Sequence, residues 1–476
     1  MHESGIITLF STLTNEDRRN LRKWIKSEFV NKNKDIVKFF EFIDSKNSFS
    51  ARTISKEKAH EYIYPNAPYN DLRIRHLMWL TNDIIEEFIA YNSLQKNSML
   101  KKQLLAQHYA THELFKLSNQ AITENFALAE KSSLRNASFH LQQHHLYSLY
   151  FQINSKNVRN KDFKLQNIID HATLFMLIET LKYACVIHSI QKVTELKVDN
   201  YLLETTLKLV NLPAFKKENI VQIYYHIYLV LRDEDEKAFA IFIKDLKKYE
   251  SAFTSTDLKD LYLLSINFCV KKSNQNIEKY TQLAFELYVY AIEKKYLVEN
   301  NEISRFSFTN VVSLGIKLKE FTKTEAFIQN YASLINKEYR SNTADFNKAK
   351  VYYANGQSQL ALKILLTKEF KDVLWNLNAK YLVLKVLFEN KDMTMFGIYL
   401  KAFKNYVKRK NNIGYHQTYF INVAKSLTLL MDIYKKPTHY LTYNFDKETP
   451  DVDWFNSALE NIKKENALPK KSRSAN

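Results

Sequence analysis

AKVYYANGQSQLALKILL, residues 349–366, is the stretch on which the fold turns. It holds Gly356, one of only five glycines in 476 residues. Glycine adopts the left-handed conformation that closes a helix without a Cβ penalty. Gly356 therefore reads as the C-cap between two helices, and the stretch reads as a helical hairpin.

Two further copies of this pattern are spaced around it. Gly315, Ala349 and Val383 lie 34 residues apart, the period of the tetratricopeptide helix–turn–helix. The small-residue site reads Leu314-Gly315-x2-Leu318, Lys348-Ala349-x2-Tyr352 and Leu382-Val383-x2-Val386. The turn is then expected at Thr322, Gly356 and Asn390, and close helix approach at Phe327, Ala361 and Met395. Tyr331, Leu365 and Tyr399 take the next apolar site. The middle copy matches best, and the pattern's Trp and Pro are missing. First helices are expected around 307–320, 343–354 and 377–389.

Composition widens this reading to the whole chain. Five Gly and six Pro among 476 residues fall well below ordinary usage of about 7% and 5%. Hairpin turns, phosphate-cradling loops and short strands need those residues. The expected fold is all-α: helical-hairpin repeats forming a tetratricopeptide-like α-solenoid behind an N-terminal helical domain. The expected divisions are 1–97, 98–300 and 301–455, with a basic, disordered tail over 456–476.

Local signals place the N-terminal helices. Thr14, followed by Asn15, Glu16 and Asp17, starts a helix with acids where its dipole favours them. Leu21, Trp24, Ile25 and Phe29 give it one apolar face. Asn33 caps a run with Ile36, Phe39, Phe40 and Ile43 on one side. Ser55 opens a short helix ending before Pro65, and Asn70 caps a long one over about 71–95. NSKNVRNKDFK, 154–164, reads as a loop. Further breaks fall near 199–200, 212–213, 233–235 and 251–256.

FVNKNKDIVKFFEFI (29–43), YPNAPYNDLRIRHLMWLTNDIIEEFIAY (64–91) and LNAKYLVLKVLFENKDMTMFGIYLKAFKNYVKRKNNI (377–413) resemble a group of uncharacterised Bacteroidetes cytoplasmic proteins. That group is similar to tetratricopeptide proteins in its C-terminal half. The resemblance implies a helical-repeat fold and brings no catalytic residues with it.

Chemistry-bearing motifs are sparse. G-x-x-x-x-G-K-[ST], G-x-G-x-x-G and G-x-S-x-G are all missing. His140, His144 and His145 form the one histidine cluster. His140 and His144 share a helix face, but Leu141 stands where a metalloprotease needs Glu. Glu86-Glu87 and Asp233–Asp235 read as solvated acids. Cys185 and Cys269 lie in apolar helical runs and read as buried free thiols. The N-terminus lacks the basic region of a secretory signal, and Glu179 and Lys182 interrupt the most apolar segment, 174–190. A cytoplasmic chain with no membrane span, no enzyme activity, no metal and no cofactor is expected.

The formal charge is +18. Arg18, Arg22 and Lys26 make a basic stripe on one helix face, with Arg19 and Lys23 beside it. Lys401, Lys404, Lys408 and Arg409 make another. Trp24, Phe403 and Tyr406 lie among these bases, and their spacing points them at the core. Two functions follow. The first is a non-catalytic scaffold or adaptor that binds a partner protein or peptide in a concave groove, with Tyr352, Tyr353 and Tyr381 as contacts. The alternative is a nucleic-acid, ribosome or ribonucleoprotein binder that uses the basic stripes.

Overall fold

Helix α1 is Gly5–Ser11, α2 is Asn15–Ile25 and α3 is Lys34–Asp44, followed by α4, Lys56–Ile63, and α5, Asp71–Lys96. A computed structural model describes the chain apart from residues 47, 156–161, 192–193, 371, 410–413, 415, 437–442, 447 and 468–476. The caps work as their chemistry demands. The Thr14 hydroxyl accepts the Asp17 N–H, and the Asp17 carboxylate accepts the Thr14 N–H, a reciprocal capping box. Asn33, Ser55 and Asn70 accept the N–H groups of Asp35, Lys58 and Arg73. Leu21, Ile25, Ile36, Phe39, Phe40 and Ile43 are all buried, and they join Leu77, Ile85 and Phe88 of α5 in one core. Phe29 departs from expectation. The helix stops at Ile25, and Phe29 beyond it is 97% exposed.

Next come α6, Ser98–Thr111, α7, Phe115–Lys131, α8, Ala137–Asn154, and α9, Leu165–Gln191. Of the loop expected over 154–164, residues 156–161 lie outside the described residues; Asn154 ends α8. Helix α9 alone among the described helices is long and apolar enough, by length and composition, to cross a membrane. Part of that helix is buried within the protein, and Lys182 on it pairs with the largely buried Asp257 carboxylate at 3.0 Å.

After the short α10, Leu203–Leu209, the helices come in pairs. They are α11, Asn219–Asp233, with α12, Glu236–Lys248, and α13, Ser255–Asn274, with α14, Glu278–Glu293. A two-stranded antiparallel ribbon follows, β1 Val298–Glu299 and β2 Glu302–Ile303. Its turn residues, Asn300 and Asn301, both have positive φ, the tight-turn geometry asparagine tolerates. The pairs resume with α15, Arg305–Lys317, and α16, Phe321–Tyr331; α17, Arg340–Ala354, and α18, Ser358–Thr367; α19, Val373–Glu389, and α20, Met393–Arg409. Helices α21, His416–Lys435, and α22, Val452–Ala467, are the last of the described helices.

The paired helices share one closure. Glu234, Asn276, Lys319, Gly356 and Lys391 each sit between two partners with φ between +55° and +74°. At the last four, the following N–H returns to the carbonyl five residues earlier. Glu320 donates to Gly315, Gln357 to Tyr352 and Asp392 to Leu387, at 2.8–3.0 Å, with Ile277 to Lys272 longer, at 3.4 Å. This is the Schellman closure, which satisfies carbonyls the helix end would leave unpaired. Gly356 is where it was expected. Thr322 is not a turn; it lies inside α16, and Lys319 takes the left-handed site. Asn390 keeps right-handed geometry and Lys391 takes the site. Met395 does not make a close approach, being partly exposed, whereas Phe327 and Ala361 are buried.

The chain forms two compact units, one of Met1–Leu181 with Leu202–Val210, the other of Lys182–Tyr201 with Asn211–Asn476. The divisions expected at 97/98 and 300/301 fall within these units, although the first hundred residues do keep their own apolar core. The expected disordered tail is displaced too. Residues 456–467 belong to α22, because Phe455, Ala458, Leu459 and Ile462 recur at helix spacing and are buried. Residues 468–476 lie outside the described residues. Cys185 and Cys269 are buried free thiols. Burial raises both, Cys269 to about 12.

Candidate functional site

The three expected groove tyrosines fall on α17 and α19, and two of them face α22 and the residue just before it. The Tyr381 hydroxyl donates to the Asp451 carboxylate at 2.8 Å, and the Lys385 ammonium donates to the same oxygen at 2.8 Å. One α19 turn further on, the Glu389 carboxylate accepts the Tyr353 hydroxyl and the Trp454 indole N–H, the latter at 2.6 Å. Lys385 Nζ lies 5.0 Å from the Trp454 ring centre, 5.5 Å from that of Tyr353 and 5.6 Å from that of Tyr381. The ammonium thus sits in an aromatic cage with a carboxylate at its edge, where ring quadrupoles and the ion pair act together. Burial, and then the neighbouring carboxylates, raise the phenols of Tyr353 and Tyr381 well above their ordinary range. Tyr352 faces elsewhere, half-buried, with Lys348 Nζ 5.5 Å from its ring centre.

Lys385, Glu389, Asp451 and Trp454 were missed in the sequence. The hydrogen-bond partners lie 36–70 residues away, and no local period marks such pairs. Asp451 itself has φ +55°, a conformation aspartate tolerates, and it presents its carboxylate to α19 from just before α22. A neighbouring lysine behaves differently. Lys350 on α17 donates to the Ser313 hydroxyl of α15 at 2.8 Å, and burial pushes its ammonium down to about 8.

The N-terminal basic stripe is tied to its own unit. Arg22 pairs with Asp44 and Lys26 with Glu41, both on α3, the second pair at 2.6 Å. Arg18 lies over the Phe10 ring, 4.6 Å from its centre. These bases clamp α2 to α1 and α3. Trp24 stacks near Tyr91, 4.7 Å between ring centres, turned into the core as its spacing implied. The second stripe differs. Lys404 and Lys408 on α20 border an apolar groove shared with α21, while Phe403 is buried beneath. Lys401 and Arg409 are exposed on the same helix, and the Arg409 guanidinium donates back to the Asn405 carbonyl at 3.3 Å.

Among the histidines, His140 and His144 point at α9. His140 Nδ1 lies 2.9 Å from His171 Nδ1, and His144 Nδ1 lies 3.0 Å from the Ile168 carbonyl. Burial pushes His140 down to about 3 and lowers His171 as well. Among the described residues no cluster of three metal-ligating side chains occurs. No protein-family model, no curated protein and no solved structure matches the chain.

Proposed function

We propose that this chain is a non-catalytic scaffold or adaptor, a tetratricopeptide-like helical repeat that binds a partner protein. One observation carries the reading. Successive pairs, α11/α12 through α19/α20, close on left-handed residues at 234, 276, 319, 356 and 391. Stacked hairpins of one kind bury the faces their neighbours leave open and present long side-chain surfaces to partners. The resemblance to cytoplasmic repeat proteins supports the same reading and a cytoplasmic location.

Where the partner would sit needs revision. Tyr353 and Tyr381 are engaged by Glu389, Asp451 and Trp454. That part of the surface is filled by α22, so Tyr352 remains the groove tyrosine free to contact a partner. The nucleic-acid alternative draws on the basic faces, and the α2 stripe supports it poorly because Arg22 and Lys26 are already ion-paired. Phosphate binding through α20 would still weaken steeply between low and moderate salt.

The test is affinity purification from a native lysate, with half of the lysate treated with nuclease. The scaffold reading expects the same protein partners in both halves. A catch of RNA or ribosomal proteins that vanishes with nuclease would overturn it.

A further inference from the structure

We propose that the groove between α20 and α21 docks an amphipathic helix of a partner protein that carries carboxylates beside its apolar face. This rests on the protein-binding reading and names the chemistry of the partner.

The groove encloses about 500 Å³. Its floor is Val407 of α20 and Ala424 of α21, both buried, with Thr428 and Leu429 half-buried and Ile421 38% exposed. Lys404 and Lys408, one turn apart on α20, and Lys425 on α21 border it. Among the described residues no carboxylate pairs with any of these three ammonium groups, whereas Lys385, Arg22 and Lys26 all have partners. Asp432, the one acid in the lining, lies about two turns beyond Lys425 along α21. Among the described residues, none of α22 lines this side. Trp454 of α22 and Asp451 just before it turn instead to Glu389, Tyr381 and Lys385 of α19.

The lining selects the occupant. Apart from the charged groups it offers one hydroxyl, that of Thr428, so an occupant must pair its own backbone N–H and C=O groups. A helix does this internally; a strand or an extended peptide does not. Ile421, Lys425, Thr428 and Asp432 follow one helical face over about three turns, roughly 16 Å, a length matched by a short docking helix. Three unpaired lysines around an apolar floor call for carboxylates at the edge of the incoming apolar face, which speed encounter and exclude basic partners. The chain's own end, LPKKSRSAN at 468–476, carries Lys470, Lys471, Arg473 and no acid, so its charge opposes docking here. Nucleic acid would gain from the lysines but would bring phosphates over an apolar floor that cannot solvate them.

The experiment uses the full chain and a fluorescein-labelled helical peptide of about 18 residues, with leucines on one face and glutamates flanking them. One control carries lysines at the flanks; another carries a central proline. Fluorescence anisotropy should show saturable binding of the glutamate peptide alone. Binding should weaken at least about tenfold in the Lys404→Glu/Lys408→Glu/Lys425→Glu variant, and similarly in Ile421→Asp. These are surface changes, and an unchanged melting curve verifies the fold. The proposal is overturned by equal binding of either control peptide, by unchanged affinity in both variants, or by no saturable binding up to about 1 mM. Capture from lysate keeps the two ideas apart. If the triple variant retains every protein partner of the wild type, this groove is wrong and the scaffold reading stands. If the wild type captures no protein, the scaffold reading falls, whatever the peptide does.

Discussion

Gly315 and Gly356 are both required, for different physical reasons. At Gly356 a Cβ would meet open space, but φ is +74°, so any L side chain is strained. Gly356→Ala should cost about 1–2 kcal/mol. Gly356→Asn should cost less, because asparagine tolerates that region. Gly315 lies within α15, close against Thr324 of α16 and Phe285 of α14. A Cβ there would overlap the Thr324 hydroxyl and come within 3.2 Å of the Phe285 ring. Gly315→Ala should cost about 1–3 kcal/mol through overpacking. Adding Thr324→Ala should recover part of that loss, so the double change costs less than the sum of the singles. Urea unfolding midpoints read all five variants, Thr324→Ala alone included. Simple additivity would show that α15 and α16 do not meet at this point. Gly356 was legible in the sequence because its constraint is local to its own φ. Lys319 and Lys391 were not, since nothing in a lysine marks a left-handed turn, and the fixed period of 34 therefore pointed to Thr322 and Asn390.

Helix α22 shows what an element gains from distant partners. Its register was hidden in a stretch read as tail, for KKEN at 463–466 is charged and the apolar face at 455–462 is short. What holds it is tertiary. Phe455, Ala458, Leu459 and Ile462 join the core of α17 to α21, and Asp451 and Trp454 grip α19. Short helices draw most of their stability from such packing and little from propensity. Asp451→Asn isolates the charge in this grip. Asparagine tolerates φ +55° and still offers Tyr381 an acceptor, but Lys385 loses its counter-ion while staying caged by three rings. The variant should lose about 1–3 kcal/mol, and its melting temperature should depend less on salt than that of the wild type. An unchanged melting temperature would mean that the lysine reaches water without cost. The α2 stripe teaches the same lesson at its own scale. The spacing of Arg18, Arg22 and Lys26 was legible, but the acids that neutralise two of them come from α3, which the spacing of α2 alone does not reveal.

Over the whole molecule, the two compact units should differ in how they respond to acid. His140 and His171 share a short contact between ring nitrogens, in which one imidazole donates and the other accepts. Protonating both rings would remove the acceptor and set two cations together beside Arg135; His144 adds to this cost, while Asp170 and a hydrogen bond with the Arg135 backbone offset it in part. In the unfolded chain each histidine takes its proton near pH 6.5; in the folded unit His140 resists down to about 3. Below pH 6.5 the unfolded state therefore binds more protons than the native one, and stability falls as pH falls. The slope approaches about 1.4 kcal/mol per pH unit for His140. In the other unit His226 is also lowered by burial, though Asp245, a hydrogen bond with the Gln222 backbone and Asp235 oppose that shift in part. The four tryptophans allow each unit to be followed separately, since Trp24 and Trp79 lie in the first and Trp375 and Trp454 in the second. With Trp375→Phe/Trp454→Phe, fluorescence reports the first unit; with Trp24→Phe/Trp79→Phe, the second. Between about pH 7.5 and pH 5 the urea midpoint of the first unit should drop further than that of the second, and His140→Gln should remove most of the difference. Equal drops in both units, or a drop that survives His140→Gln, would place the acid sensitivity of this protein elsewhere than in the paired imidazoles.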